Sequence, residues 1–269
     1  MAQYTERGKR LHLAYSFALL TTEHSAGHLR RQVQALDSAL DDTDGWGCWA
    51  VSNHDVQRVS SRWSAGDEAD PRRDKLWLSM LLSLRGSACV YQGEELGLPE
   101  AEVPFERLQD PYGRAFWPEF KGRDGARTPM PWLADAGHGG FSAGQNEPWL
   151  PVYGAHLPMA VDRQAQEPQS MLNFSRELIH WRRRQPLLRR GRIRFLDAPE
   201  PFLCLERYDG DEVLQAVFNL SDQRASIRLA RMLVPLPSSP FLGARLNGDL
   251  ALELPPYGVF MGVPIDAAA

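Results

Sequence analysis

The sequence has few cysteines and no long apolar run. Cys48, Cys89 and Cys204 stand far apart in the chain of 269 residues, without the CxxC pair or even number typical of a disulfide framework. The segment 1–10 lacks the apolar stretch of a signal peptide, and no run approaches the roughly 18 apolar residues of a membrane-spanning helix. We therefore expect a cytoplasmic protein that neither crosses a membrane nor is secreted.

Lysine is also scarce, and basic charge is not in excess. The chain has three lysines, 30 basic residues in all, and a formal net charge of −4. A protein of this charge has no broad basic field with which to hold nucleic acid or an anionic membrane. The charge balance argues against both as partners.

Several motifs of cofactor and metal chemistry are missing. There is no HExxH pair, no nucleophile elbow around a serine and no glycine-rich phosphate loop. The acidic turn at 41–45 faintly resembles a calcium loop, but Asn53 stands where the glutamate of such a loop is required. We predict a solvated loop there, and neither a metal ion nor an organic cofactor.

What is present describes a folded globular protein. Hydrophobic residues make up 43% of the chain, charged residues 24% and aromatic residues 10%, including eight tryptophans. This composition excludes a disordered or collagen-like chain. The length suits one barrel-sized domain or two smaller domains.

The first 91 residues alternate between strand-like and helix-like patterns. Residues 11–20 fit a buried strand or a short buried helix, and residues 24–40 have the spacing of an amphipathic helix. Apolar runs at 46–51 and 87–91 predict buried strands, with a helix between them that begins at Pro71. This alternation predicts parallel βα units, an α/β fold class.

The amino-acid composition changes twice in the later part of the chain. Residues 97–169 are rich in proline, glycine and tryptophan, and form too long a segment for an ordinary connection. A helix is predicted at 170–185, ended by Pro186. Short β-rich runs follow, with a hairpin signal at 208–211. We predict one domain at 1–190, with a long loop excursion at 97–169, and a small antiparallel β domain at 191–269.

Asn53, His54 and Asp55 form the most suggestive polar cluster, because they follow a predicted buried strand. A carboxylate beside an imidazole at such a position can bind sugar hydroxyls or stabilise developing positive charge. The alternative is a turn at the strand end with a hydrogen-bonded histidine. The triplet alone does not separate these interpretations.

Longer motifs around the triplet resemble those of the α-amylase superfamily, glycoside hydrolase family thirteen. The segments that carry the resemblance are RLHLAYSF at 10–17, VSNHDVQRVSSRW at 51–63, YQGEELGL at 91–98, GRDGARTPMPW at 122–132 and VFNLS at 217–221. The fourth of these is similar to its α-glucosidase and oligo-1,6-glucosidase branch. Their order and spacing also match the family, and they extend over nearly the whole chain.

The resemblance implies roles for individual residues. Asp55 matches the carboxylate that grips the glucose at the cleavage site and stabilises the oxocarbenium-like transition state. His54 matches an imidazole that hydrogen-bonds the same sugar. Arg123, ahead of Arg127, matches an arginine that helps fix the terminal glucose; for Arg127 a structural ion pair is the alternative.

Other residues of these motifs are expected to be structural. Glu94 and Glu95 should support the loop that follows the last strand rather than act in catalysis. Trp63, Phe116 and Trp117 could offer flat faces to a sugar ring, but packing in the core is the preferred interpretation.

The chain also departs from the family. A retaining glycosidase needs a nucleophilic carboxylate and a carboxylic acid roughly 5 to 5.5 Å apart, and in this family both precede the motif of Asp55. The upstream residues Glu6 and Glu23 lack the right context. The resemblance therefore implies the C-terminal part of a (β/α)8 TIM barrel, about strands six to eight, followed by a small antiparallel β-sandwich domain.

The expected function follows from that assignment. The chain should belong to a retaining α-glucosidase acting on a small oligosaccharide or α-glucoside. Alone it should be inactive. Its strand edges should be exposed, so we expect the missing N-terminal half to be its partner. Two alternatives remain open. One is a noncatalytic carbohydrate-binding or partner subunit, and the other is a glucosyl-transferring relative.

Overall fold

The computed structural model describes residues 2–5, 10–40, 45–64, 70–248 and 250–265. The described chain forms two compact units, and its described strands all lie in the first of them. The first unit draws on 1–50, 75–89 and 177–269, and the second on 51–74 and 90–176. The acidic turn predicted at 41–45 lies, apart from its last residue, outside the described residues.

The longest helices have 13 to 15 residues and the longest strands have eight. The helices are α1 (Ala2–Thr5), α2 (Ala26–Leu40), α3 (Val59–Arg62), α4 (Pro71–Ser83), α5 (Pro111–Ala115), α6 (Val161–Gln166), α7 (Met171–Arg183) and α8 (Pro186–Arg190). The strands are β1 (Ala14–Tyr15), β2 (Gly47–Trp49), β3 (Ser87–Ala88), β4 (Arg192–Leu196), β5 (Phe202–Asp209), β6 (Glu212–Asn219), β7 (Ala225–Arg228), β8 (Leu233–Pro235), β9 (Arg245–Leu246), β10 (Ala251–Leu254) and β11 (Val259–Pro264).

The first unit contains the predicted parallel sheet. Strands β1, β2 and β3 lie in that order and pair in parallel, with Ala14 opposite Gly47 and Cys48 opposite Ser87. The predicted burial of residues 11–20 is wrong for much of that segment, since Leu11, Leu13 and Phe17 are exposed. These three side chains lie outside β1, which contains only Ala14 and Tyr15, so the sheet does not cover them.

Helix α2 confirms the amphipathic pattern predicted at 24–40. Leu29, Val33 and Leu40 are buried along one face. At its first turn the carboxylate of Glu200 accepts hydrogen bonds from the amides of Ala26 and Gly27, at 3.3 and 3.0 Å. A carboxylate is favoured there because the first amides of a helix lack partners within the helix.

The predicted helices at Pro71 and at 170–185 are confirmed as α4 and α7. Pro186 was expected only to end a helix, yet it also begins α8. Proline suits the first position of a helix, where its missing N–H costs no hydrogen bond.

The C-terminal part of the first unit is antiparallel. One sheet has the order β4-β5-β6-β11-β8 and another the order β7-β10-β9. The predicted hairpin is confirmed, with Asp209 opposite Glu212 across the turn. Strands β8, β9 and β10 were not predicted; β8 and β9, with three and two residues, are too short to give a clear alternation of apolar and polar residues. Side chains from both sheets share one core, made of Phe202, Cys204, Val217, Leu229, Leu233, Leu252, Leu254 and Phe260.

Arg207 is a buried arginine of the first unit whose side chain bonds to backbone carbonyl oxygens. Its side chain is completely buried and donates to the carbonyl oxygens of Ser83 and Leu84, which end α4, at 2.9 and 3.1 Å. It also donates to those of Leu188, Gly191 and Arg192 at 2.6 to 3.2 Å. Burial lowers the pKa of this guanidinium to about 9. Arg207 thus satisfies carbonyls at the ends of two helices at once.

The second unit is mostly irregular, as the composition of 97–169 predicted. Its described residues include short 3-10 segments at Glu94–Leu96, Phe105–Arg107, Asp124–Arg127, Gly137–Gly140 and Gly154–Met159. Two small apolar clusters support it, one of which contains Leu96, Leu98, Met130 and Leu172. None of the described helices is both long and apolar enough to cross a membrane. The three barrel strands, the β-sandwich and the boundary near residue 190 stay predictions.

Candidate active site

The loop 51–57 carries two of the predicted site residues, His54 and Asp55, and Asn53 sets its conformation. The Asn53 side-chain oxygen accepts hydrogen bonds from the amides of Asp55 and Val56, at 2.8 and 3.1 Å. This Asx turn is a conformation that asparagine favours. It leaves the His54 side chain exposed and the Asp55 side chain 44% exposed, so both can meet a ligand.

Arg62, in α3, ties the two ends of this loop together. Its guanidinium donates to the carbonyl oxygens of Val51 and Gln57. Burial lowers the pKa of Arg62 to about 10. The Ser52 hydroxyl accepts a hydrogen bond from the Val59 amide at 2.8 Å, which joins the loop to the start of α3. The loop is therefore held at both ends by side chains of its own unit.

Three cationic or polar groups converge on the Asp55 carboxylate. Oδ1 accepts hydrogen bonds from Arg123 Nη1 at 3.2 Å and Arg127 Nη2 at 3.1 Å. Oδ2 lies 3.5 Å from His54 Nε2. Arg127 Nε also donates to the His54 carbonyl oxygen at 2.8 Å. The two arginines thus fix the carboxylate, while Oδ2 and the imidazole remain on an exposed side.

Arg123 is itself fixed by Asp110, a residue that sequence reasoning missed. Arg123 Nε and Nη2 donate to the two Asp110 carboxylate oxygens, each at 2.9 Å, and the Arg123 amide donates to Oδ2 at 2.8 Å. The Asp110 side chain is fully buried. These hydrogen bonds lower the pKa of Asp110 to about 2, and the same pairing raises the pKa of Arg123. Such a bidentate pair sets orientation as well as charge.

A second buried aspartate positions the first. Asp124 Oδ2 accepts hydrogen bonds from the amides of Gln109 and Asp110, at 2.6 and 2.8 Å. Gly122 is required beside them: its φ is +81°, and a Cβ there would lie 2.7 Å from the Gly113 Cα. The only sequence signal for Asp110 is its place before Pro111, since an aspartate followed by proline is typical of a helix start.

Three glutamates that follow β3 accept hydrogen bonds from backbone amides, and of these Glu94 is buried. Glu94 Oε2 accepts the Tyr91 amide at 3.0 Å, and Glu95 Oε2 accepts the Gly93 amide at 2.8 Å, which confirms their predicted support of the loop after β3. Glu100 Oε2 accepts the Arg58 amide at 2.8 Å. Burial raises the pKa of Glu94 to about 8 and that of Glu100 to about 7. Glu94 and Glu95 thus hold the turn at 91–95, and Glu100 joins its segment to Arg58, directly after the Asp55 loop.

The aromatic residues divide between core and surface. Trp63 is 1% exposed, so its predicted place in the core is confirmed. The same expectation is wrong for Phe116 and Trp117, which are 56% and 36% exposed. They follow the short helix α5, where Phe116 stacks on Tyr112 with a ring separation of 6.4 Å.

The structure brings His54, Asp55, Arg123 and Arg127 together, although the two arginines are about seventy residues from Asp55 in sequence. A held carboxylate, an imidazole and two guanidiniums offer acceptors and donors suited to the hydroxyls of a neutral polar ligand. Within the described ranges, no group of three or more histidine, cysteine, aspartate or glutamate side chains is arranged to hold a metal ion.

Two known proteins similar to this chain are named as glucosidases. It is 41% identical over 266 residues to the probable alpha-glucosidase of Rhizobium meliloti (strain 1021), covering 96% of this chain and 46% of that protein. It is 32% identical over 210 residues to an oligo-1,6-glucosidase of Heyndrickxia coagulans, covering 70% of this chain and 36% of that protein. The chain thus spans about half the length, or less, of these relatives.

Solved structures agree on the fold. The alpha-glucosyl transfer enzyme XgtA is 43% identical with a TM-score of 0.90, covering 98% of this chain and 48% of that chain. An isomaltulose synthase from Klebsiella sp. LX3 has a TM-score of 0.85 at 20% identity, covering 97% of this chain and 52% of that one, a likeness of fold alone. Residues 2–191 match the family described as alpha amylase, catalytic domain. Because that match includes more than half of its residues, this chain belongs to the alpha-amylase family.

Proposed function

We propose that this chain supplies the sugar-gripping part of a retaining α-glucosidase that acts on the terminal α-linked glucose of small oligosaccharides or α-glucosides. In this proposal residues 1–190 are about strands six to eight of a (β/α)8 barrel, and residues 191–269 are a small β-sandwich. The observation that carries the proposal is the partly exposed Asp55 carboxylate, held by Arg123 and Arg127 beside His54.

The proposed chemistry follows from the charge on Asp55. Glycoside cleavage passes through an oxocarbenium-like transition state, in which positive charge develops on the sugar ring. An ionised carboxylate in contact with that ring stabilises the charge, and its contacts with the hydroxyls strengthen as the ring distorts. Arg123 and Arg127 keep the carboxylate oriented, and His54 Nε2 is placed to hydrogen-bond the same sugar.

The proposal assigns the remaining catalytic groups to another part of a longer protein. The second carboxylate of the cluster, Asp110, has both oxygens engaged by Arg123 and is fully buried. It is therefore a poor nucleophile and a poor proton donor. The similar proteins are about twice as long as this chain, which leaves room for the nucleophile and the acid.

Glucosyl transfer is a second candidate. The structure at 43% identity and TM-score 0.90 is that of an alpha-glucosyl transfer enzyme. Hydrolysis and transfer share the covalent glucosyl intermediate, and they differ in whether water or another hydroxyl group attacks it. The products of the assembled enzyme distinguish the two reactions.

The test combines this chain with the part of the Rhizobium meliloti relative that lies outside the matched 266 residues. We expect no release of p-nitrophenol from p-nitrophenyl α-glucoside by either part alone, and release by the mixture. The two corresponding parts of the relative serve as the positive control. If they regain activity together and the mixture with this chain does not, the enzymatic proposal fails and a noncatalytic binding role is favoured.

A further inference from the structure

One cavity of the second unit shares no residue with the Asp55 cluster. Its volume is about 440 Å³, within the range of roughly 300 to 1,000 Å³ of small-molecule sites. It is formed by the first residues of α4, by Leu96 and Gly97, and by residues of the segment 158–171. The mechanism proposed for Asp55 uses none of these residues.

The walls of this cavity are largely apolar. The apolar side chains are those of Pro71, Leu96, Pro158, Met159 and Met171. Gln164 also lines the cavity, but its Nε2 donates to the carbonyl oxygens of Leu96 and Met159, at 2.8 and 3.0 Å. Its Oε1 accepts the Leu172 amide at 2.9 Å. Such walls suit an aliphatic chain better than a ligand rich in hydroxyls, whose polar groups would lack partners.

Asp74 is a buried carboxyl in this lining. It is 8% exposed, and its Oδ1 has no hydrogen-bond partner among the described residues. Gly97 lies beside the other oxygen: its φ is +68°, and a Cβ there would lie 3.0 Å from Asp74 Oδ2. Because Gly97 has no side chain, that side of the carboxyl stays open. A donor from outside the chain would satisfy the buried group.

The surroundings of Asp74 disfavour its ionised form and raise its pKa to about 6. Burial is the main cause, and the charge of Asp70 acts in the same direction, while the Ser60 hydroxyl and the Arg73 guanidinium act against it. Asp70 is itself paired with Arg72 at 2.7 Å. A cation bound beside Asp74 would favour the ionised form.

A second carboxylate, that of Glu167, also lines the cavity. Glu167 is exposed, and its Oε1 accepts the Gln169 amide at 3.4 Å. Arg163 lines the cavity as well, but it is paired with the Asp135 carboxylate at 2.5 Å. The lining therefore has two carboxyls, one buried and one exposed, that form no ion pair with another described residue.

We propose that this cavity binds a short aliphatic diamine, whose methylene chain packs against the apolar walls while one ammonium group pairs with Asp74 and the other with Glu167. An ammonium group has three donors and no acceptor, so it matches a carboxylate that lacks a partner. Two such groups on one chain match the two carboxyls of the lining. This inference is independent of the function proposed for Asp55.

Isothermal titration calorimetry of the full 269-residue chain with 1,4-diaminobutane tests the inference. We expect one site per chain, weaker binding of 1-aminobutane and no binding of 1,4-butanediol. Asp74→Asn should weaken the binding of the diamine by about tenfold or more, since it removes the buried charge. Glu167→Gln should weaken it by about threefold, since an exposed pair contributes less. Glu106→Gln is the matched control, because Glu106 is exposed in the same unit and does not line this cavity.

The pH dependence of binding provides a second measurement. The pKa of Asp74 is raised to about 6, whereas an aliphatic ammonium group keeps its proton up to about pH 10. Binding of the diamine should therefore be about tenfold weaker at pH 5 than at pH 8. This measurement and Glu167→Gln decide the matter if circular dichroism shows that Asp74→Asn does not fold.

Three results overturn the inference. The first is no heat of binding at millimolar diamine. The second is an affinity that is the same at pH 5 and pH 8 and is unchanged in both lining variants, which would place the diamine elsewhere on the acidic surface. The third is equal binding of 1,4-butanediol, which would mean that the carboxyls do not select the ligand.

Discussion

The buried carboxylate of Asp110 holds the guanidinium of Arg123 through both of its oxygens, each at 2.9 Å. The remaining nitrogen of that guanidinium, Nη1, lies 3.2 Å from Asp55. Arg123 therefore joins a fully buried aspartate to a partly exposed one. The orientation of Asp55 depends on a residue that no ligand is expected to touch.

Removing the Asp110 charge should destabilise the protein. Asp110→Asn leaves the Arg123 guanidinium without its buried counter-charge, and we expect a loss of about 2–4 kcal/mol in the free energy of unfolding. Urea denaturation followed by tryptophan fluorescence measures it. The control is Glu147→Gln, whose partner Arg107 is 2.7 Å away in an exposed pair and which should cost less than about 1 kcal/mol. If both substitutions changed the free energy of unfolding equally, the buried pair of Asp110 and Arg123 would not have the stabilising role assigned to it.

The same pair predicts a pH dependence at the acid end. The pKa of Asp110 is lowered to about 2 in the folded state, below the ordinary value of about 3.9. Its stabilisation is present above about pH 4 and is lost as the pH falls through about 2. Thermal melts between these limits should show a smaller decline for Asp110→Asn than for the wild type. Parallel curves would show that Asp110 is not held in this way.

For Glu94 we predict the opposite pH dependence: its contribution to stability should fall as the pH rises from neutral. Burial raises its pKa to about 8, so the folded state favours the protonated carboxyl. That contribution to stability is full below the unfolded pKa of about 4.3 and is lost as the pH rises through about 8. Glu94→Gln should therefore raise the melting temperature at pH 9 relative to the wild type by about 2–4 °C or more. Glu106→Gln, on an exposed residue, should leave the pH profile unchanged; a profile of Glu94→Gln as steep as that of the wild type would be the contrary result.

Arg207 should be among the most sensitive positions of the first unit. Arg207→Leu removes the donors of five carbonyl oxygens that are hydrogen-bonded to this one side chain. We expect a loss of about 3–5 kcal/mol, because buried acceptors without partners are costly. Arg228→Leu, on an exposed residue of β7, should stay within about 0.5 kcal/mol. A small effect of Arg207→Leu in urea denaturation would mean that water replaces its contacts.

Local patterns in the sequence predicted much of the fold. The helix α2 and the hairpin β5–β6 were predicted because each has a clear periodicity or turn signal within a few residues. The burial of residues 11–20 was predicted wrongly, since an apolar run does not reveal that only two of its residues form a strand. Strand β9 was missed because two residues carry no alternation that could be recognised.

The residues of the candidate site likewise divide into those that the sequence predicted and those that it did not. His54 and Asp55 could be found because they stand together after a strand, within a motif that resembles a known family. Asp110 could not, because its importance lies in a contact with Arg123 across thirteen residues of irregular chain.

The central claim is that Asp55 stabilises the transition state of glucoside cleavage. Its most direct test is the rate of p-nitrophenyl α-glucoside cleavage by this chain assembled with the complementary part of the relative, with and without Asp55→Asn. We expect a fall of at least about a hundred- to a thousandfold, as for other preorganised electrostatic contacts. Asp135→Asn, in an exposed pair with Arg163, should keep the full rate. An assembled enzyme that retains its rate with Asp55→Asn would contradict the account.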